Sequence, residues 1–410
     1  MSENQIQHFV GLDIGTSEVK CVVGTLDSEK DNSLSIVGHG SSSNSGMRKG
    51  IVVRVADVIE AVVQAITEAE RISGFRISHA TVNVNGPQVL GMNSRGVIAI
   101  SAANREITAE DRLRVEEAAT IVKLPSNREI IQVFAKNYRL DGQTGIKDPL
   151  GMNGVRLEVD THIVTASTPT LKNLDLVLEK SHVRANHHTV SSLAAAEAVL
   201  SKQQKDSGTV LIDIGAGTTN IVVLEEGEVC HVAVIPMGGI NITNDLAIGL
   251  KTDLDIADKV KVEHGGLNKK NKKAPISFMV NKTRYEFSNE DVEMIIEARI
   301  EEIFEYVDKE LKKIQKSRKL PGGVVLVGGT ANISGIDEFA KEKLQLAARI
   351  GKIRDISGLI DTVQSPKYAT AVGLMMLDMY LGDGDSAEDQ GNTNTNFFGF
   401  IEGILKKVRK

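Results

Sequence analysis

"VGLDIGTSEVKCVV" (Val10–Val23) and "VLIDIGAGTTNIVV" (Val210–Val223) are two copies of one pattern. Each is a β-branched run closing in Asp-Ile-Gly, then a turn of small residues, then a second β-branched run. That order predicts a strand–turn–strand hairpin. The repeat puts Asp13 and Asp213, and Gly15 and Gly215, at matching positions. Glycine and small neighbours let backbone N–H groups close around phosphate oxygens. In the first copy the turn is Gly15, Thr16 and Ser17; in the second it is Gly215, Ala216, Gly217, Thr218 and Thr219. A carboxylate beside such a turn repels bare phosphate but suits a bound Mg²⁺, usually through water. Lys20, seven residues after Asp13, supplies a point charge for the phosphates. One such turn is ordinary. Two matched copies point to duplicated domains facing each other across a cleft, a preferred place for a ligand.

A third loop follows in "GGVVLVGGTANISGIDEFA" (Gly322–Ala340). A short buried strand runs into Gly328, Gly329 and Thr330, and a helix starts near Ile336. The glycine pair permits close backbone approach to a base or ribose. There is no G-x-x-x-x-G-K-[ST] motif, and Gly215-Ala216-Gly217 runs on to Asn220 where a dinucleotide fingerprint needs glycine.

Composition narrows the classes. With 410 residues, 41% of them hydrophobic, the chain is long enough for more than one cored domain. A net charge of −6 and the absence of tryptophan argue against nucleic acid as a partner. Cys21 and Cys230 lie far apart in strand-like runs and read as reduced, buried thiols. The histidines have no metal-ligand spacing. No secretory leader and no bilayer-length apolar run are present, so a cytosolic protein is expected.

The three loops, in this order, resemble the two phosphate motifs and the adenosine motif of the actin, heat-shock ATPase and sugar-kinase superfamily. "GLKTDLDIADKVKVEHG" (Gly249–Gly265) is similar to the superfamily helix that carries an acid and a lysine near the adenosine. By that resemblance these are Asp258 and Lys261, with aspartate where glutamate is usual. "IPMGGINITNDLAIGL" (Ile235–Leu250) and "SPKYATAVGLMML" (Ser365–Leu377) fit the rest of the nucleotide domain. The segment from about Ser78 to Thr165 is decisive. With "REITAEDRLRVEEAA" (Arg105–Ala119) and the run from Arg128 to Ser167, it resembles the extra subdomain of FtsA, a family of bacterial cell-division proteins. The resemblance covers essentially the whole chain. One departure is Ser191-Ser192, where the superfamily often has Glu-Pro, the acid orienting the attacking water. Serine is a poorer base, so ATP binding is expected with at most weak hydrolysis.

The implied fold is α/β: duplicated actin-like domains facing a nucleotide cleft, with an inserted subdomain and a C-terminal amphipathic helix. The expected division is 1–80, 165–205 and 366–381 for the first domain and 81–164 for the insert. The second domain takes 206–243 with 321–365, and a smaller subdomain takes 244–320. Residues 382–396 form a polar linker before a helix at 397–410. Locally, "VADVIEAVVQAITEAERISG" (Val55–Gly74) has helical apolar spacing and a glycine stop, and Thr108 with Asp111 makes a capping box. The helix after Ser288 keeps Val292, Ile295, Ile296, Ile300, Ile303, Phe304, Val307 and Leu311 on one face. Arg299 lies among them. It either covers core with its stem or, by the family resemblance, meets the acids of the C-terminal peptide of FtsZ, the tubulin-like division protein.

The tail "NFFGFIEGILKKVRK" (Asn396–Lys410) follows a polar stretch unable to form a core. On a helix, Phe397, Phe398, Phe400, Ile401, Ile404, Leu405 and Val408 share one face, with Lys406, Lys407, Arg409 and Lys410 at the end. Aromatics opposite basic residues are the pattern of an interfacial helix on an anionic membrane. Burying that face gains roughly 7–10 kcal/mol. Ordering the backbone takes back about 1 kcal/mol per residue. One tail therefore binds reversibly, and many on one assembly bind firmly. The resemblance thus implies an ATP- and Mg²⁺-binding protein that self-assembles into filaments on the cytoplasmic membrane face, anchors FtsZ and helps recruit later division proteins. Two alternatives stay open: an active ATPase or kinase of the superfamily, and a pilus-assembly ATP-binding scaffold.

Overall fold

The computed structural model describes residues 7–27, 33–101, 105–267 and 275–382. The tail residues 397–410 and nearly all of the expected linker lie outside the described residues. In chain order, β1 (His8–Ile14) and β2 (Glu18–Asp27) form the first hairpin. β3 (Ser33–Ser43), the short β4 (Met47–Arg48) and β5 (Ile51–Val52), α1 (Val55–Ser73) and β6 (His79–Val84) complete that unit. The chain then makes β7 (Leu90–Ala99), α2 (Ala109–Thr120), β8 (Arg128–Leu140), β9 (Gln143–Ile146) and β10 (Arg156–Ser167). It returns through α3 (Thr168–Lys180), β11 (Arg184–Val190), α4 (Ser191–Val199) and α5 (Lys202–Ser207). The second half holds β12 (Thr209–Ile214), β13 (Thr219–Glu225), β14 (Glu228–Ile235), α6 (Gly239–Gly249) and α7 (Leu254–His264). After β15 (Ile276–Val280), β16 (Thr283–Phe287) and α8 (Asn289–Lys313) come β17 (Gly323–Val327), α9 (Ile336–Leu344), β18 (Ala348–Ile350), β19 (Ser357–Gly358), α10 (Ile360–Val363) and α11 (Ala369–Leu381).

The duplication is visible in the sheets. The first has the order β11-β6-β1-β2-β3-β19, the second β14-β13-β12-β17-β18. In each, the aspartate-bearing strand pairs antiparallel with the next strand and parallel with a later one, β6 or β17. Both aspartate strands are buried along nearly their whole length, as near-continuous apolar runs in a covered sheet should be. α11 is largely apolar and buried; it packs between α4 and β1. Two glycines allow that approach: a side chain at Gly11 would strike the α11 backbone, and one at Gly373 the carbonyl of Ala194 on α4.

The insert is a separate four-stranded sheet, β7-β10-β8-β9, with α2 against β7. α2 starts with the expected box: Thr108 Oγ1 accepts from the Asp111 N–H, and the Asp111 side chain reaches back to the Thr108 N–H. Several expected boundaries differ from the observed elements. Residue 81 lies inside β6, which stays in the main sheet beside β1, so the insert's own sheet begins at Leu90. Residue 244 falls within α6. Ser357–Gly358, expected in the second domain, pairs with β3 of the first. Both cysteines are free thiols, Cys21 buried as expected but Cys230 only half-buried, and burial pushes the Cys21 thiol up, out of reach of ionisation.

Candidate functional site

The two Asp-Ile-Gly turns meet. Gly15 N–H donates to the Glu18 carbonyl at 3.1 Å, and Gly215 N–H to the Thr218 carbonyl at 2.9 Å, so the turns close the same way. A Cβ on Gly217 would sit 2.8 Å from Thr16 Oγ1, which places the second turn directly against the first. Thr16 Oγ1 also accepts from the Gly50 N–H at 3.0 Å. Thr218 Oγ1 crosses to Asn85 Oδ1 at 3.2 Å. Asn44 secures the rim: its side-chain amide donates to the Gly15 carbonyl at 2.8 Å, and its N–H to the Ser17 carbonyl at 2.9 Å. Ser17 itself is exposed, whereas Thr218 and Thr219 are buried.

Below the turns lie the acids. Asp13 Oδ1 accepts from Asn83 Nδ2 at 2.8 Å, and Asp13 Oδ2 lies 3.8 Å from Lys20 Nζ. Lys20 is also 3.2 Å from Glu18. Burial raises the Asp13 carboxyl and Lys20 partly restores its charge. Asp213 has hydroxyl and amide company instead: Thr370 at 3.4 Å and Asn220 Nδ2 at 3.5 Å. Burial, with the Asp13 charge adding to it, pushes Asp213 up to about 7. The Asn220 Oδ1 atom is buried and has no hydrogen-bond partner in the protein. Among the described residues no group of three or more His, Cys, Asp or Glu converges as a direct metal cage. Two buried carboxylates and an orphaned amide oxygen form an all-oxygen donor set. It fits a hard divalent cation such as Mg²⁺ that keeps most of its own waters.

The third loop joins the same place. β17 ends at Val327, Gly328 takes a positive φ of 89°, and a 3-10 turn runs from Gly329 to Asn332. A side chain at Gly328 would strike Asp213 and the Ile214 backbone. Gly329 faces open space, with nothing within 4 Å of an added Cβ. Thr330 Oγ1 donates to the Gly215 carbonyl at 3.1 Å. Gly239 N–H and Ile240 N–H donate to the Gly215 and Ala216 carbonyls at 2.9 and 2.8 Å, docking the start of α6 on the second turn. Lys261 Nζ donates to Asp258 Oδ1 at 2.5 Å, to Thr243 Oγ1 at 2.6 Å and to the Gly239 carbonyl at 3.4 Å. Burial opposes the Asp258 charge, but Lys261 and Thr243 hold its carboxyl below the usual range. Asp258 and Lys261 thus reach the same corner through α6, already bonded to each other.

Arg299 is elsewhere. Its guanidinium is bidentate on Asp245 of α6, at 2.5 and 2.9 Å, with Glu302 at 2.5 Å. A peptide acid would compete with two carboxylates already in place. Ser191 and Ser192 open α4 and are buried; Ser191 Oγ accepts from Asn83 Nδ2 at 3.1 Å, one side chain away from Asp13. Sequence reasoning missed Asn44, Asn83, Asn85 and Asn220. For Asn83 and Asn85 the available signal was the alternation of polar with apolar residues in "ATVNVNG" (Ala80–Gly86).

Comparison with known proteins gives the same fold and a family. Residues 210–373 match the family Cell division protein FtsA, and residues 86–165 match the SHS2 domain inserted in FtsA. The Cell division protein FtsA of Pseudomonas aeruginosa is 34% identical over 390 residues, covering 94% of this chain and 93% of the relative. That of Bacillus subtilis is 37% identical, covering 92% and 84%. The chain belongs to the FtsA family. Its FtsA-type insert is β7 to β10 with α2, and its actin-like fold has distant company among solved structures. The PilM–PilN type IV pilus biogenesis complex aligns at a TM-score of 0.63 and 15% identity, over 90% of this chain and 97% of that one. MreB5 of Spiroplasma citri bound to ADP aligns at 0.56 and 12%, over 93% and 99%. The MamK double helical filament aligns at 0.52 and 15%, over 91% and 98%. At these identities the likeness is one of fold. No helix among the described residues is long and apolar enough to cross a membrane.

Proposed function

We propose that this FtsA-family protein binds Mg²⁺-ATP in the cleft between its duplicated halves and works as a membrane-bound scaffold of cell division. Asp13 and Asp213 hold the hydrated Mg²⁺. Gly15, Thr16, Ser17 and Lys20, with Gly215, Ala216, Gly217, Thr218 and Thr219, take the phosphates. Gly328, Gly329, Thr330, Asp258 and Lys261 frame the nucleoside. The observation that carries this reading is the abutment of the two turns over two buried acids, whose mutual repulsion a bound cation relieves. Mg²⁺ contributes charge neutralisation at the phosphates. The chain contributes the turns that orient them, and buried serine at 191 supplies no strong base, so ATP acts mainly to close the cleft. Nucleotide in an actin-like neighbour, and a filament of another, support ATP binding and head-to-tail self-assembly here.

In this reading residues 397–410 lie on the anionic cytoplasmic membrane face, and the body tethers filaments of FtsZ through their C-terminal peptide and helps recruit later division proteins. Vesicle co-sedimentation tests it. The full chain and a chain ending at Thr395 are each mixed with anionic vesicles, with and without Mg²⁺-ATP. The full chain is expected to pellet, more so with nucleotide, and the shortened chain to stay in solution. Equal pelleting of both chains, or of neither, ends the membrane-anchor reading.

A further inference from the structure

β6 and the residue just after it carry a polar row: Thr81, Asn83 and Asn85, two residues apart. Polar groups in the middle of a covered sheet are costly unless fully bonded, and each of these is used. Thr81 donates to Asp378, Asn83 to Asp13, and Asn85 accepts from Thr218. Asn83 is the most occupied. Its Oδ1 accepts from the Ile14 N–H at 2.7 Å, while Nδ2 donates to Asp13 Oδ1 at 2.8 Å and to Ser191 Oγ at 3.1 Å. All three bonds end on the strand of the first turn or the first residue of α4.

The second half solves the same problem differently. β17 stands to β12 as β6 stands to β1, and the residue paired with Asp213 is Val327, so no amide comes from that strand. The amide comes instead from Asn220, which occupies in the second copy the place Lys20 holds in the first. Each acid therefore receives one amide, from non-equivalent strands. A requirement of the fold alone would repeat the same residue in both halves. Two independent solutions with one result indicate that the orientation of each carboxylate is what matters.

We propose that Asn83 is a positioning residue for the cation end of the cleft: it pins Asp13 Oδ1, so that Oδ2, 3.8 Å from Lys20 Nζ, is the oxygen that would face a hydrated divalent cation. Ser191 fixes the amide plane of Asn83 in turn. This rests on the Mg²⁺-nucleotide reading above.

The test is titration of the full chain with a fluorescent ATP analogue in excess Mg²⁺ and in EDTA. Wild type is expected to bind more tightly with Mg²⁺. Asn83→Ala should lose about ten-fold of that Mg²⁺-dependent gain, as loss of a partner behind a metal ligand does, with EDTA affinity within about two-fold. Ser191→Ala removes one bond to Asn83 and should lower the same gain by roughly two- to three-fold. It serves as the reporter if Asn83→Ala does not fold. Retention of the full Mg²⁺ gain in these variants, or an equal loss in Mg²⁺ and EDTA, overturns the proposal. A wild-type chain with no analogue affinity, or none that Mg²⁺ improves, overturns the underlying reading and the proposal together, and the wild-type arm alone reveals it.

Discussion

Glu116 of α2 is fully buried in the insert's own core and accepts a hydrogen bond from the Tyr138 hydroxyl, while its second oxygen has no partner. Burial pushes its carboxyl up to about 8, with Tyr138 only partly offsetting the effect. In the unfolded chain the same group ionises near its ordinary value of 4.5. Below that pH both states hold the proton and nothing is lost. Between about 4.5 and 8 the unfolded state releases its proton first, so stability falls as pH rises. Glu116→Gln keeps an acceptor for Tyr138 and removes this slope. Its stability advantage over wild type should be near zero at pH 4.5 and grow to roughly 2–5 kcal/mol by pH 8. Urea unfolding of both chains across that range decides it, and a pH-independent difference refutes it. At this scale the site was partly legible. Asp13, Asp213 and the turn glycines follow from local pattern, because a turn's backbone demands them. Asn83 was not, because its partners lie 70 and 108 residues away.

α11 shows how an element is fixed by few contacts. It is apolar almost throughout, yet Asp378 is buried in it. That carboxylate accepts from the Val10 N–H at 2.9 Å, Thr81 Oγ1 at 2.7 Å and Asn186 Nδ2 at 3.1 Å. One side chain thus ties α11 to β1, β6 and β11. Asp378→Ala would strand three buried donors and should destabilise the chain by roughly 2–4 kcal/mol. Asp378→Asn should fall between, since it keeps an acceptor oxygen. A thermal melt with both variants tests the order, and equal melting temperatures for all three chains would refute the account. Its near-uniform hydrophobicity suits a buried helix. It does not reveal why an acid belongs there, because the three donors come from three strands.

Across the whole molecule the insert is not an appendage. Ile131, Phe134, Val164 and Ala166, at its root, belong to the first domain's core together with Val229 and Val232 of β14. Tyr138, Leu140, Leu157 and Val159, further out, form a separate core. His162 of β10 ties the root to β14: its Nε2 accepts from the Val232 N–H at 3.2 Å, and its Nδ1 meets Asn93 at 2.8 Å. Burial, with His231 beside it, holds its pKa down to about 3, so it stays neutral in that bond. Lys147 adds ion pairs to Glu226 and Glu228 at 2.6 and 3.0 Å. Hydrogen exchange should therefore divide the insert. Amides of residues 130–134 and 163–166 should exchange as slowly as those of β1 and β6, and those of 138–140 and 157–159 faster, through local opening. One common rate for both halves would contradict this division.

Sequence alone determined the repeated hairpins, the acids and glycines of their turns, the Gly328–Gly329 junction before α9, and the caps of α1 and α2. These depend on backbone geometry and apolar periodicity within a few residues. Tertiary structure decided that Thr16 meets Gly217, that Asn83 and Asn220 hold the two acids, and that Arg299 is bound to Asp245. It also decided that β6 stays in the main sheet and that the insert rests on β14. Those contacts join segments distant in the chain, where the energy of a buried polar pair depends on which partner packing brings within hydrogen-bond reach.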